Sequence, residues 1–151
     1  MVKYIGLDAH SSTCSFCVMD GKGNIIDTAQ LETNGRLLVG YLRGISGEKK
    51  LTFEECELSS WLYEIAKKEV DEILVCNPVN NRNYKKAKTD KLDAKNLADL
   101  LRGGYLSSVY HDGSDRERFR DLMAGYQDLV DDAVRIKNRY KSLFRKDGKK
   151  A

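Results

Sequence analysis

A four-residue turn, Gly21-Lys22-Gly23-Asn24, separates two runs of strand-forming residues near the start of the chain. The first run is Thr13 to Asp20, and the second is Ile25 to Glu32. A connection this short joins antiparallel neighbours, because parallel strands need a crossover of about a dozen residues or more. With the apolar run Val2 to Asp8 before them, these segments predict a meander of three strands.

Helix and strand patterns alternate after this meander. The predicted elements are, in order, a helix capped by Asn34 and stopped by Gly47, a strand Leu51 to Glu54, a helix from Ser59 or Ser60, a strand Glu72 to Cys76, a helix from Thr89 to Arg102, and a candidate edge strand Leu106 to Tyr110. The continuous apolar run ending at Cys76 is typical of a strand that is buried on both faces. The order predicts an α/β fold with a mixed sheet and flanking helices.

The last part of the chain, from Ser114 to about Arg145, has the pattern of one long helix. Apolar residues recur there in alternating steps of three and four, at Phe119, Leu122, Tyr126, Leu129, Ala133, Ile136, Tyr140 and Leu143. This repeat predicts a coiled coil, although packing against the rest of the same chain is the alternative. We expect a domain at residues 1–112, a coiled-coil helix with a basic end at 113–151, and a homo-oligomer formed through residues 119–143.

Positive charge is concentrated in two segments, although the net charge is only +3. Val79 to Lys91 contains five basic residues and one acid, and Arg135 to Ala151 contains eight basic residues and one acid. Such runs attract polyanions, and a solvated surface is the alternative. The first segment supplies the candidate nucleic-acid contacts Arg82, Lys85, Lys86 and Lys88.

Two classes of protein do not fit the sequence. No run of 18 apolar residues is present, and the apolar start is interrupted by Asp8 and His10, so we expect neither a membrane span nor a secretory signal. Cys14 and Cys17 form a C-x-x-C pair, but residues three apart in a strand face opposite sides and do not share a metal. We expect all four cysteines to be buried thiols in apolar, strand-like settings, and the protein to be cytoplasmic.

Acidic residues stand at two predicted strand ends and on one helix face. Asp8 ends the first strand, and Glu54 ends the fourth, with Glu55 as the alternative. Asp90 and Asp93 continue the apolar stripe of their helix, where buried carboxylates are costly unless a cation neutralises them. Four such carboxylates predict a site for two Mg²⁺ or Mn²⁺ ions, the arrangement used in phosphodiester chemistry. Simpler roles, a turn cap for Asp8 and a helix-dipole partner for Asp90, stay open.

Three segments resemble the N-terminal domain of the DEDD insertion-sequence transposases, a family that includes the pilin-gene invertases. The segments are Ile5 to His10, the strand end Phe53-Glu54, and Lys88 to Ala94 followed by Leu97-Ala98; Asn77-Pro78 also resembles the family's strand end. Family members commonly read E-A-T-G where this chain reads Glu54-Glu55-Cys56-Glu57, so Glu54 and Glu55 remain alternatives.

The resemblance implies a ribonuclease H-like, RuvC-like fold in which Asp8, Glu54, Asp90 and Asp93 are the catalytic and metal-binding residues. It implies a bacterial recombinase whose substrate is DNA. Several family members are guided by a structured bridge RNA. Members also carry a C-terminal domain with a serine nucleophile, which residues 1–151 do not include. We therefore expect this chain alone to be incomplete for strand exchange.

Three other classes remain open. One is a stand-alone RuvC-like nuclease, such as a junction resolvase or exonuclease. Another is half of an actin-like or sugar-kinase-like ATPase, which also begins with a strand, an Asp and a meander. That class needs a glycine-rich phosphate loop, where this chain has Ala9-His10-Ser11-Ser12. The last is a non-catalytic interaction module built on the final helix.

Overall fold

The computed structural model describes residues 1–77, 90–109 and 115–148. These residues include one mixed, five-stranded sheet with helices packed against it. Its strands are β1 (Val2–Ala9), β2 (Thr13–Met19), β3 (Ile25–Glu32), β4 (Glu48–Glu54) and β5 (Glu72–Cys76), in the spatial order β3-β2-β1-β4-β5. The pairs β1–β2 and β2–β3 are antiparallel, whereas β1–β4 and β4–β5 are parallel. The predicted meander and mixed α/β sheet are confirmed.

The helices are α1 (Gly35–Gly44), α2 (Ser59–Ala66), α3 (Asp90–Gly103) and α4 (Asp115–Lys146). Asn34 caps α1 as predicted, because its side chain accepts a hydrogen bond of 3.0 Å from the backbone N–H of Arg36. Two compact units result, Met1–Gly113 with the sheet and Ser114–Ala151 with α4. Within the described part of the chain, no helix combines the length and apolarity needed to cross a bilayer.

Helices pack on both faces of the sheet. Helices α1 and α2 share one core with one sheet face, which contributes Ile5, Leu7, Phe16, Leu51 and Phe53. Helix α3 packs on the other face, where Ala94 and Ala98 join Cys17 and Met19. Successive residues of a strand point to opposite faces, so each strand contributes to both cores.

The contact between β1 and α3 is made at Gly6. A Cβ atom on this glycine would lie 2.1 Å from the carbonyl oxygen of Ala94 and 2.5 Å from the amide nitrogen of Ala98. Such distances are far below van der Waals contact, so only glycine allows the helix to lie this close to the strand. The small Ala94 and Ala98 side chains, both fully buried, serve the same close approach.

The cysteines divide between the two cores. Cys14 and Cys17 are buried in different clusters, as the strand periodicity predicts, and all four thiols are free. Burial raises the pKa of both thiols, which favours the protonated and unreactive form. Cys56 is exposed in the turn that follows β4, so the expectation of a buried, strand-like setting is wrong for it.

Three boundaries differ from the predicted ones by more than one residue. Strand β4 begins at Glu48, because Glu48 to Lys50 pair with Val2 to Tyr4 although their side chains are polar. The expected edge strand Leu106 to Tyr110 is reduced to a single bridge between Ser108 and Cys76 in the residues described there. Helix α1 ends at Gly44 and not at Gly47, where the backbone instead has a positive φ of 96°.

We predict that Gly6→Ala lowers the free energy of unfolding by about 3 kcal/mol, because a backbone oxygen and a backbone nitrogen would both have to move. The matched control is Gly40→Ala in α1, where a Cβ meets no atom within 4 Å. Alanine should stabilise that helix by about 1 kcal/mol. Urea unfolding midpoints measure both changes. Equal stability of the two variants would contradict the close contact of α3.

Candidate active site

Asp8 and Glu54 lie side by side near the carboxyl ends of two neighbouring inner strands of the sheet. Strands β1 and β4 are parallel, and their register pairs Leu7 with Phe53. The next residues along the two strands are Asp8 and Glu54. In open α/β sheets, ligands bind in the crevice outside the carboxyl ends of parallel strands. Both acids therefore stand where this type of fold places its functional residues.

The two acids share the sheet face that α3 covers. Asp8 follows Gly6 by two residues, and Glu54 follows Thr52, the strand partner of Gly6, by two residues. Strand alternation returns every second side chain to the same face, so Asp8 and Glu54 point to the α3 side. Glu55 is exposed beyond the strand end, and its backbone N–H donates to the carbonyl of Cys76 at 2.9 Å. The geometry favours Glu54 over Glu55 as the partner of Asp8.

Helix α3 runs antiparallel to β1, which directs its first turn toward these acids. Ala94 and Ala98 lie over Gly6, and the guanidinium of Arg102 lies against Gly23 in the β2–β3 turn. That turn is at the opposite end of the sheet, because Met19 pairs with Tyr4 near the start of β1. The helix start, with the partly buried Asp93, is therefore at the Asp8 end.

The carboxylate of Asp8 is largely buried, with 19% of its side chain exposed. His10 Nε2 lies 3.2 Å from Asp8 Oδ2, and the His10 ring is mostly exposed. In the sequence, His10 ends the first segment of the family resemblance, Ile5 to His10. Its contact with Asp8 places it at the rim of the candidate site.

Ser15 is a site neighbour that sequence reasoning missed. It is the strand partner of Asp8 in β2, and it is buried although polar. Directly opposed residues on one sheet face have their Cβ atoms about 4.5–5.5 Å apart, so the hydroxyl is within reach of the carboxylate. The sequence does contain an indication of this position. Ser15 is a polar residue between Cys14 and Phe16, and the alternation of side chains along β2 directs it to the face that α3 covers.

The loop that carries His10 is held by the β3–α1 junction. Thr33 Oγ1 donates to the carbonyl of His10 at 2.6 Å, and the Thr33 N–H donates to the carbonyl of Ser12 at 3.0 Å. The His10 N–H closes the turn by donating to Thr13 at 2.9 Å. These bonds fix the chain immediately after Asp8 without using the acid itself.

Convergence of the full acidic set at coordination distances stays a prediction. Across residues 1–77, 90–109 and 115–148, no group of three or more His, Cys, Asp or Glu side chains is close enough to hold a metal ion. The side chain of Asp90 lies outside the described residues, as do the four basic candidates Arg82, Lys85, Lys86 and Lys88. The described geometry brings Asp8, Glu54 and Asp93 to one edge and one face of the sheet.

Comparison with known families identifies the chain as a transposase. A family model described as a transposase, of the DEDD type found in IS110 elements, matches residues 5–146, and the chain belongs to that family. The match spans nearly all of the 151 residues and confirms the family resemblance found in the sequence. Membership implies a DNA substrate. No curated protein sequence matches the chain.

We predict that millimolar Mg²⁺ or Mn²⁺ raises the melting temperature, because an ion that binds the native state stabilises it by mass action. Asp8→Asn and Glu54→Gln should each remove most of the shift. Glu55→Gln is the matched control, since the same change is made one residue away on an exposed side chain, and it should keep the shift. Differential scanning fluorimetry with and without metal measures all four proteins. A shift lost in Glu55→Gln and kept in Glu54→Gln would exchange the roles of the two residues.

Proposed function

We propose that this chain is the metal-dependent, RuvC-like catalytic domain of a DNA recombinase, with Asp8, Glu54, Asp90 and Asp93 as its catalytic residues. The observation that carries the proposal is the antiparallel course of α3 across Gly6. This course directs the helix turn containing Asp93 to the edge where Asp8 and Glu54 end adjacent strands. The strand order, with a three-stranded meander followed by two parallel strands, also supports a ribonuclease H-like fold.

The donor set fits a hard divalent cation. All four proposed ligands are carboxylates, and Mg²⁺ and Mn²⁺ prefer oxygen ligands. Asp8 is mostly buried, and a buried carboxylate favours a site that supplies positive charge. Two such ions, when bound, would stabilise the attacking and leaving oxygens of a phosphodiester displacement. The protein's part is to hold the four carboxylates on two strand ends and one helix turn.

Nucleic acid is proposed to contact the basic segment before α3, through Arg82, Lys85, Lys86 and Lys88. Its position in the sequence supports this role, because the segment leads directly into the acidic helix turn. Contacts with phosphates position a nucleic acid without reading its sequence. Recognition of the target would then come from elsewhere, and a structured guide RNA of the family's bridge type is part of the proposal.

Further parts of the proposal concern the setting of this domain. The family resemblance supports a second domain with a serine nucleophile for complete strand exchange, and a bacterial cytoplasm as the place of action. The apolar repeat of α4 supports self-association through residues 119–143. These parts do not depend on the metal site.

Metal-dependent strand cleavage tests the catalytic part of the proposal. Supercoiled plasmid and a four-way DNA junction are incubated with the chain and Mn²⁺, and nicks are counted on gels. We expect nicking that requires Mn²⁺, falls to background in Asp93→Asn and persists in Glu55→Gln. Preference for the junction with a defined pair of symmetric cuts would instead favour a stand-alone resolvase. Absence of nicking on both substrates would contradict a catalytic role for the chain on its own.

The salt dependence of DNA binding tests the basic segment. Replacing Arg82, Lys85 and Lys86 with alanine should flatten the slope of log K against log salt by about 2.7, since each duplex phosphate contact contributes about 0.9. The control replaces Lys22, Lys67 and Lys68, which are exposed lysines outside that segment of the sequence, and changes net charge equally. Fluorescence anisotropy with a labelled duplex measures both. The same slope in both triple variants would place the binding surface elsewhere.

A further inference from the structure

The apolar stripe of α4 is exposed along the described helix. Leu122 and Leu129 are each 70% exposed, and Tyr140, the most covered of the large residues in the a/d repeat, is still 58% exposed. Exposed apolar stripes of this length are characteristic of protein interaction surfaces. The three-four spacing of the stripe suits another helix as the occupant.

Charge along α4 is segregated by position. Gly125 to Asp132 contains three aspartates and no basic residue, whereas Ala133 to Lys146 contains six Lys or Arg and no acid. The helix thus has an acidic stretch followed directly by a basic one. Two copies that run in the same direction would place basic stretch beside basic stretch. Two copies that run in opposite directions would place each acidic stretch beside the basic stretch of the other.

We propose that two copies of this chain associate through α4 in an antiparallel orientation, centred between Ala133 and Ile136; this inference rests on the self-association proposed above. In the a/d repeat, this register brings a large residue opposite a smaller one in each layer. The layers are Tyr126 with Leu143, Leu129 with Tyr140, and Ala133 with Ile136 of the second copy, each occurring twice.

A parallel pair in register has poorer layers. The positions of Tyr126 and Tyr140 would each meet the same tyrosine of the second copy, and Ala133 would meet Ala133. The layer of two alanines leaves a void, whereas the layers of two tyrosines hold more volume than their neighbours, and such uneven filling of a core is destabilising. Core volume and charge therefore favour the same orientation.

Charged residues beside the a/d positions can form ion pairs between the two copies, and which residues pair depends on the orientation. In the antiparallel register Asp132 lies beside Arg139 of the second copy, and this pair occurs twice. Asp132 also forms an ion pair with Arg135 of its own helix. The distance between Asp132 Oδ1 and Arg135 Nη2 is 2.5 Å, and both side chains are exposed. In a parallel pair Arg139 would instead lie beside Phe144 of the second copy, where its charge has no opposite charge to meet.

Charge reversal at the two positions tests this orientation by sedimentation equilibrium at low salt. Arg139→Asp should weaken the dimer roughly tenfold, because two attractive pairs become two repulsive ones. The double variant Asp132→Arg with Arg139→Asp restores opposite charges in both pairs and should return the dimer to parental affinity. In a parallel pair, Arg139→Asp would leave the affinity unchanged or raise it, and the double variant would weaken it.

Each result supports or overturns the proposal. Arg139→Asp places an acid four residues after Arg135, which offsets part of the lower helix propensity of aspartate, and circular dichroism checks that the helix is retained. Recovery in the double variant supports the antiparallel pair. A parallel pattern overturns the orientation and leaves self-association standing. A parent chain that is monomeric at high concentration overturns both, without bearing on the metal-dependent nicking that tests the catalytic proposal.

Discussion

The backbone of β1 and the backbone of α3 meet at Gly6, and the position of the first turn of α3 relative to Asp8 and Glu54 depends on this contact. The distances to Ala94 and Ala98 leave no space for a side chain on the strand. Because no side chain stands between them at Gly6, the helix and strand backbones approach more closely than where side chains separate two packed elements. The first turn of α3 is therefore held near the strand ends.

The same contact explains why the two faces of the sheet have cores of different size and composition. The face under α1 and α2 is filled with large apolar side chains, such as Phe16 and Phe53, and contributes most of the core. The face under α3 has a small core of Cys17, Met19 and two alanines. Polar groups at its edge, among them Asp8 and Ser15, can then be partly buried without interrupting the main core. Stability and the candidate chemistry are thus placed on opposite sides of one sheet.

Much of the fold could be predicted from the sequence, because its signals are local. The four-residue turn Gly21 to Asn24 predicted the antiparallel meander, and β3 and β5 have the predicted bounds. The start of β4 could not be predicted, since Glu48 to Lys50 have no strand-like side chains and pair because β1 offers them partners. The candidate site was predicted from acids at strand ends, and its metal chemistry stays a prediction. The preference for Glu54 over Glu55 depends on the register of β4 against β1, which is a long-range property, and the nearness of Ser15 to Asp8 depends on the pairing of their strands.

The turn after β4 has a practical consequence through Cys56. It is the exposed member of the four cysteines, and it follows Glu54 by two residues, whereas Cys14, Cys17 and Cys76 are buried. A maleimide dye should therefore label the native chain at one position without mutagenesis. The fluorophore would be attached beside the strand end that carries a proposed ligand. Movements of that edge during assembly with nucleic acid could then be followed by emission changes in the unmodified sequence.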